Sequence, residues 1–405
     1  MQTTLADFIR GTAAGDEAEA ILRTCVHCGF CTATCPTYQL LGDELDGPRG
    51  RIYLMKQVLE GHKATARTQT HLDRCLTCRS CETTCPSGVR YHHLLDIGRA
   101  VVEEQVGRTP AQQFLRWSLR QVLPYRERFT PMLRLGQAVK GVLPATLQAK
   151  VPPKRAAGAW PKSAHARRMY VLDGCVQPAI DANVNAATAR VLDRLGIRVE
   201  VAPRDGCCGA ASFHLDAQDE GLAFARRRID AWYPAIASGE VEAIISTASG
   251  CGAFIKDYGH LLRDDPAYAD KAARVSAAAK DLVEILAAED LESLALKPDG
   301  KTAFHCPCTL QHALKLAGKV EAVLTRLGFP LTAVPDAHLC CGSAGTYSIT
   351  QPEISKQLRD NKIRALESGA PDRIATANIG CLAHLQTGTQ KPVQHWIEVV
   401  DAALA

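Results

Sequence analysis

The sequence predicts a multidomain α+β protein, helical over its amino-terminal part and α/β over its second half. Three observations carry that prediction. Two cysteine runs of identical spacing lie near the amino end, Cys25-Val-His-Cys28-Gly-Phe-Cys31-Thr-Ala-Thr-Cys35-Pro36 and Cys75-Leu-Thr-Cys78-Arg-Ser-Cys81-Glu-Thr-Thr-Cys85-Pro86, among segments with helical patterning. From residue 168 onward, short apolar strands alternate with helical stretches, the pattern of parallel βαβ units. That second half is duplicated, with a Cys-Cys-Gly tripeptide at the same place in each copy.

Each cysteine run reads C-x2-C-x2-C-x3-C-P, the spacing with which two-cluster ferredoxins hold iron–sulfur clusters. Three thiolates of a run face one cubane [4Fe-4S] cluster, and the fourth, before proline, ligates the partner cluster. The spacing assigns Cys25, Cys28, Cys31 and Cys85 to one cluster, and Cys35, Cys75, Cys78 and Cys81 to the other. Zinc is the competing reading, but a four-ligand zinc site does not call for this run twice. Gly29 and the small Thr32, Ala33 and Thr84 leave backbone N–H groups free to hydrogen-bond sulfur, and Pro36 and Pro86 fix the direction of Cys35 and Cys85. Helices are expected over 5–10 and 16–23, then, past a turn-rich loop at 42–50, over 52–60 and 62–74. They would form a shell that keeps water from the sulfurs.

At 405 residues the chain exceeds one ordinary core. Its boundaries read as a two-[4Fe-4S] ferredoxin-type domain over 1–107, a basic amphipathic connector over 108–167, and two repeats over 168–290 and 291–405. An apolar content of 46%, 22% charged residues and a net charge of +4 describe a soluble globular protein without the charge of a nucleic-acid binder. Seventeen cysteines would frame disulfides in a secreted chain, but the start carries Asp7, Asp16, Glu17 and Glu19 and no apolar signal core. No run of about 18 apolar residues is present to span a bilayer. The expected compartment is cytoplasmic, where thiols stay reduced. Residues 108–168 hold 13 Lys/Arg, Lys150 among them, against one acid, Glu127. With Phe114, Trp117 and Phe129 interleaved, this stretch reads either as a membrane-surface element or as a solvated linker.

In the first repeat, a strand at 169–172 runs to Cys175, a helix follows over 181–195, and a strand at 197–201 leads to Cys207-Cys208-Gly209. A helix over 216–237 and a strand at 242–246 then lead to Cys251. The second repeat has strands at 302–304, 331–334 and 374–377, leading to Cys306-Pro307-Cys308, Cys340-Cys341-Gly342 and Cys381, with helices over 310–328 and 352–369. Thirty-one residues separate Cys175 from Cys207, and the same number separate Cys308 from Cys340. Ligands of parallel sheets sit beyond the carboxyl ends of strands, where all nine of these cysteines fall. They form a possible extra metal site on one face, favoured by helix N-termini, or else small buried apolar residues.

With these motifs in this order, and Gly47-Pro48-Arg49-Gly50-Arg51 between the cluster runs, the whole chain resembles the glycolate oxidase (glycolate dehydrogenase) iron–sulfur subunit family. The wider group includes iron–sulfur subunits of anaerobic glycerol-3-phosphate dehydrogenase and of lactate utilisation, and heterodisulfide reductase shares the CCG domains. The resemblance implies an electron-transfer subunit with no catalytic residue of its own. Flavin-containing partner subunits would oxidise the 2-hydroxy acid, with electrons passing toward the quinone pool at the cytoplasmic face of the inner membrane. No G-x-G-x-x-G follows a strand, so FAD is expected in the partners only. A lactate or glycerol-3-phosphate complex and a CCG-domain disulfide reductase are the alternatives. An iron–sulfur sensor lacks the helix-turn-helix it would need. Heterodisulfide reductase repeats close with C-x2-C, whereas here Cys251 and Cys381 stand alone, which leaves His305 and His384 as candidate substitutes.

Overall fold

The computed structural model describes residues 1–144, 148 and 151–405, so Lys150 of the basic connector lies outside the described residues. Two compact units form, Met1–Arg116 with His338–Lys362, and Trp117–Ala337 with Ile363–Ala405.

Helices build the first unit: Ala13–Thr24, Pro36–Leu41, Pro48–Leu59, Ala66–Asp73, Ser80–Thr84 and Tyr91–Val106. The helix expected over 5–10 is a single turn. Arg10 N–H reaches the Ala6 carbonyl at 3.0 Å, and Gly11 then turns left-handed and ends it. Thr12 restarts the chain as an N-cap, its hydroxyl accepting from Gly15 N–H at 3.0 Å. Pro48 opens its helix, where a missing N–H is harmless. A Cβ on Gly50 would stand 2.1 Å from the Glu44 carbonyl oxygen, so only glycine lets this helix lie against the preceding turn. The core gathers Ile21, Leu22, Met55, Leu59, Leu94 and Leu95, with Cys25, Cys75 and Cys81 among its buried members. The later segment is tied in by Tyr347, whose hydroxyl donates to the Arg74 carbonyl at 3.0 Å.

The second unit carries two parallel sheets. β1 (Arg167–Val171), β2 (Ile197–Glu200), β3 (Ile244–Ser246) and β4 (Ala279–Asp281) are ordered β2-β1-β3-β4. β5 (Thr302–His305), β6 (Arg373–Thr376) and β7 (Val393–His395) are ordered β5-β6-β7. The expected strand at 331–334 is only a bridge from Leu331 to Thr302, because Pro330 and Pro335 flank it and donate nothing to a ladder. With that bridge in the place of β2, the second sheet repeats the order of the first. The helix expected over 310–328 is broken into a π-type turn, Thr309–Ala313, and a helix, Lys319–Arg326. Lys315 and Gly318, both at positive φ, interrupt it. β4 and β7 are additions to the sequence reading.

Both sheets share a core that includes Val171, Ile245, Leu282, Phe304, Ala375 and Trp396. The inter-repeat contact is also polar: the His395 imidazole meets the Thr247 carbonyl oxygen at 2.8 Å, and Ser249 N–H donates to Ala377 at 3.3 Å. Much of the basic connector is spent inside the protein. Arg120 pairs with Glu220, Arg126 with Asp173 and Arg155 with Asp181. Among the described residues, no helix is long and apolar enough to cross a membrane.

Candidate iron–sulfur centres

Both cysteine loops adopt one backbone pattern. His27 and Gly29 take φ of 60° and 87°, and Thr77 and Arg79 take 51° and 60°, at matching positions between the first three cysteines. Such left-handed steps turn successive N–H groups toward one concavity, the form of an anion nest. Thr77 N–H already points at Cys75 Sγ, 3.5 Å away. Three of the four residues concerned, His27, Thr77 and Arg79, are not glycine and pay steric strain for this shape, a cost concentrated at functional sites.

The thiols fall into two sets of four. Cys25, Cys28, Cys31 and Cys85 line one pocket, together with Pro48, Pro86 and Tyr91, and Cys81 of the other set borders it. Burial first, and then the neighbouring Cys25, Cys85 and Cys28, push the Cys31 thiol up to about 11. Burial also raises Cys25, against the His27 N–H, which lowers it. In the second set, burial drives Cys81 well above an ordinary thiol, followed by Cys78, Glu82, Cys75 and Cys35. Thiols this close resist ionising together, and bound metal cations remove that resistance. The donor chemistry therefore fits iron–sulfur clusters. The sets differ in exposure: in the first, Cys25 is buried, Cys31 and Cys85 are half-buried and Cys28 is exposed, while Cys35, Cys75, Cys78 and Cys81 are all buried.

The first repeat brings its four cysteines together from three strand ends. The neighbouring thiol of Cys207 and then burial raise Cys175, and, against the Cys207 thiol, the neighbouring thiol of Cys251 together with burial raises Cys208, so the four thiols lie close to one another. The two CCG turns share one geometry. Gly209 N–H donates to Cys207 Sγ and Gly342 N–H to Cys340 Sγ, each at 3.4 Å. The cysteines of the second repeat divide between the units, Cys340 and Cys341 in the first and Cys306, Cys308 and Cys381 in the second. Cys306 belongs to the apolar core of the second unit, His305 is buried there, and His384 is half-buried on the helix Ile379–Gln386.

Sequence reasoning passed over the polar shell of the buried set. Arg51, only 1% exposed, lies 3.5 Å from Asp46 and donates to the His71 carbonyl at 2.7 Å and to the Thr37 hydroxyl at 3.2 Å. Thr37 stands 3.3 Å from Cys35 Sγ, and the Tyr91 hydroxyl donates to Cys75 Sγ at 3.6 Å. The Gly-Pro-Arg-Gly-Arg motif was the available signal: its turn sends Arg49 outward to Glu44 and Arg51 inward.

Residues 21–89 match the 4Fe-4S dicluster domain, and residues 169–256 and 302–386 match the cysteine-rich CCG domain. Over 405 residues the chain is 61% identical to the glycolate oxidase iron-sulfur subunit of Escherichia coli (strain K12), covering 100% of this chain and 99% of that protein. The chain belongs to the glycolate oxidase iron–sulfur subunit family. A Bacillus subtilis (strain 168) protein described as "Probable glycolate oxidase iron-sulfur subunit" is 30% identical over 410 residues, covering 93% of this chain and 90% of its own length. Beyond this glycolate oxidase iron–sulfur family, lactate utilization protein A of Bacillus licheniformis is 30% identical over 238 residues, which are 56% of this chain and 96% of that protein. The expected fold class, a helical dicluster module followed by a duplicated CCG domain, is what the matches and the sheets display.

Proposed function

We propose that this chain is the electron-transfer subunit of a multisubunit glycolate oxidase, receiving electrons from FAD-containing partner subunits that convert glycolate to glyoxylate and passing them toward quinone. The observation that carries the reading is the gathering of eight amino-terminal thiols into two sets of four, in a chain of this family. When bound, [4Fe-4S] clusters supply one-electron chemistry to a partner that releases two electrons. The residues of this chain hold, orient and shield. Cys25, Cys28, Cys31 and Cys85 would hold one cluster and Cys35, Cys75, Cys78 and Cys81 the other. Because Cys35 and Cys85 each cross to the set of the opposite run, the two sites are neighbours. The helices Pro48–Leu59 and Tyr91–Val106 keep solvent from the buried set.

Cys175, Cys207, Cys208 and Cys251 are the candidate holders of a third iron–sulfur group. Iron and acid-labile sulfide per chain test this directly: about eight irons fit two cubanes and about twelve fit three. Anaerobically prepared protein that is iron-free yet supports dye-linked glycolate oxidation with its flavoprotein partners would overturn the whole reading. Glycolate, rather than lactate or glycerol 3-phosphate, is favoured by the relative at 61% identity, and a substrate screen on the co-purified complex decides it.

A peripheral membrane contact is part of this proposal. The helix Arg126–Ala138 exposes Met132 and Leu135, and Val142 follows at 85% exposure, beside Arg134 and Lys140. Sedimentation with anionic vesicles, lost on raising salt and weakened by Met132→Ser with Leu135→Ser, is the expected result.

A further inference from the structure

The buried and the exposed thiol sets sit in different electrostatic surroundings, and the difference has a direction. This inference rests on the two-cluster reading above. Around Cys35, Cys75, Cys78 and Cys81, three guanidinium groups converge. Arg51 is buried and bonded to Thr37, which stands against Cys35 Sγ. Arg99 donates to the Cys75 carbonyl at 2.9 Å. Arg74 pairs with Asp46 at 2.8 Å. Two acids oppose them. Asp46 is divided between Arg51, Arg74 and His71, and Glu82, next to Cys81, is bonded to the His92 ring and to its N–H. A hydroxyl from Tyr91 aims at Cys75 Sγ, and Tyr91 is itself buried.

The exposed set has weaker positive company. Arg49, near Cys31, is about one-third exposed and is neutralised by Glu44 at 2.6 Å. The Met1 ammonium donates to the Cys25 carbonyl at 2.7 Å but is half-exposed, where solvent screens it. A buried charge acts through a low dielectric and a screened one does not. Hydrogen bonds to cluster sulfur likewise favour the more negative redox state.

We propose that Arg51 and Tyr91 are positioning residues that make the site of Cys35, Cys75, Cys78 and Cys81 the higher-potential member of the pair, so that a single added electron rests there. The step gains one electron from the flavoprotein partner and changes no bond or proton. Tyr347, on the segment that carries the second CCG turn, donates to the Arg74 carbonyl next to Cys75 at 3.0 Å.

The test is a redox titration of the full chain followed by electron paramagnetic resonance, with signals assigned by Cys28→Ser, which alters only the exposed site. In the wild type, the signal that survives in Cys28→Ser should be the first to appear on reduction. Arg51→Met should move that signal alone to more negative potential, Arg51→Lys should restore part of that shift, and Tyr91→Phe, which removes only the hydroxyl on Cys75 Sγ while the ring still lines the other pocket, should move that signal more than the other. The reverse order of appearance overturns the proposal, as do unmoved midpoints in fully loaded variants. Should Arg51→Met fail to fold or load, Tyr91→Phe decides by itself. Wild-type protein lacking two cubane signals would instead bring down the two-cluster reading, and this inference with it.

Discussion

Cys28 is the exposed thiol of its set, so Cys28→Ser tests one proposed site with little effect on packing. The expected outcome is loss or alteration of one paramagnetic signal and a fall in dye-linked glycolate oxidation, with the other signal intact. The eight candidate ligands are legible because three thiolates of each candidate cluster lie within a few residues of one another and the fourth ends the other run before proline, a spacing that can be read off the chain. Arg51 was not legible as part of the same centre. It works through Thr37 and His71, which lie 14 and 20 residues away, and no local pattern joins them. A second pair of buried residues, Asp281 and His395, cap helices at matching places in the two repeats. Burial pushes the Asp281 carboxyl up to about 7 and the His395 imidazole down to about 4. The raised acid binds its proton more tightly in the folded state, so its contribution to stability is lost as pH rises from the ordinary carboxylate range through 7. The depressed base is neutral when folded, so its contribution is complete above about 6.5 and is lost as pH falls toward 4. Asp281→Asn keeps the cap and removes the first effect. Its gain in stability should be about 1 kcal/mol larger at pH 7.5 than at pH 6 by denaturant midpoints, and an equal gain at both would refute the assignment.

Among the elements, the CCG turns are the most constrained. Gly209 and Gly342 sit at φ of 99° and 85°. A Cβ there would lie 2.4 Å from the Gly221 carbonyl oxygen and 2.5 Å from that of Ser355. Gly209→Ala or Gly342→Ala should therefore destabilise the protein by about 2–4 kcal/mol, from left-handed strain plus overpacking, read as a fall in melting temperature. The helices of the dicluster module followed their apolar spacing, and Pro48 and Thr12 marked starts that sequence patterns do announce. The failures share one cause. β4 and β7 are three residues each, and the bridge at Leu331 is shorter still. Elements that short are defined by the neighbour they pair with and not by periodicity. The break between Ala313 and Lys319 comes from the left-handed Lys315, a conformation that lysine does not advertise.

For the molecule as a whole, duplication explains why one chain carries two sheets of the same order. The first repeat gathers Cys175, Cys207, Cys208 and Cys251 within one unit. An iron count near twelve that falls by about four in a Cys207→Ser, Cys208→Ser variant would place a cluster in the first repeat, and an unchanged count would leave those thiols structural. The basic connector, by contrast, looked like an uncommitted positive surface in the sequence. Ion pairs to Glu220, Asp173 and Asp181 consume much of it, and only the partners 47 to 100 residues along the chain, or 26 in the case of Arg155, reveal this. By itself the sequence determined the dicluster module, the duplication and the family, because each is written in spacings along the chain. Which set of thiols is buried, which arginine faces it and where the second CCG turn packs were decided only by tertiary structure, since burial and the Coulomb field depend on distances in space that covalent order does not fix.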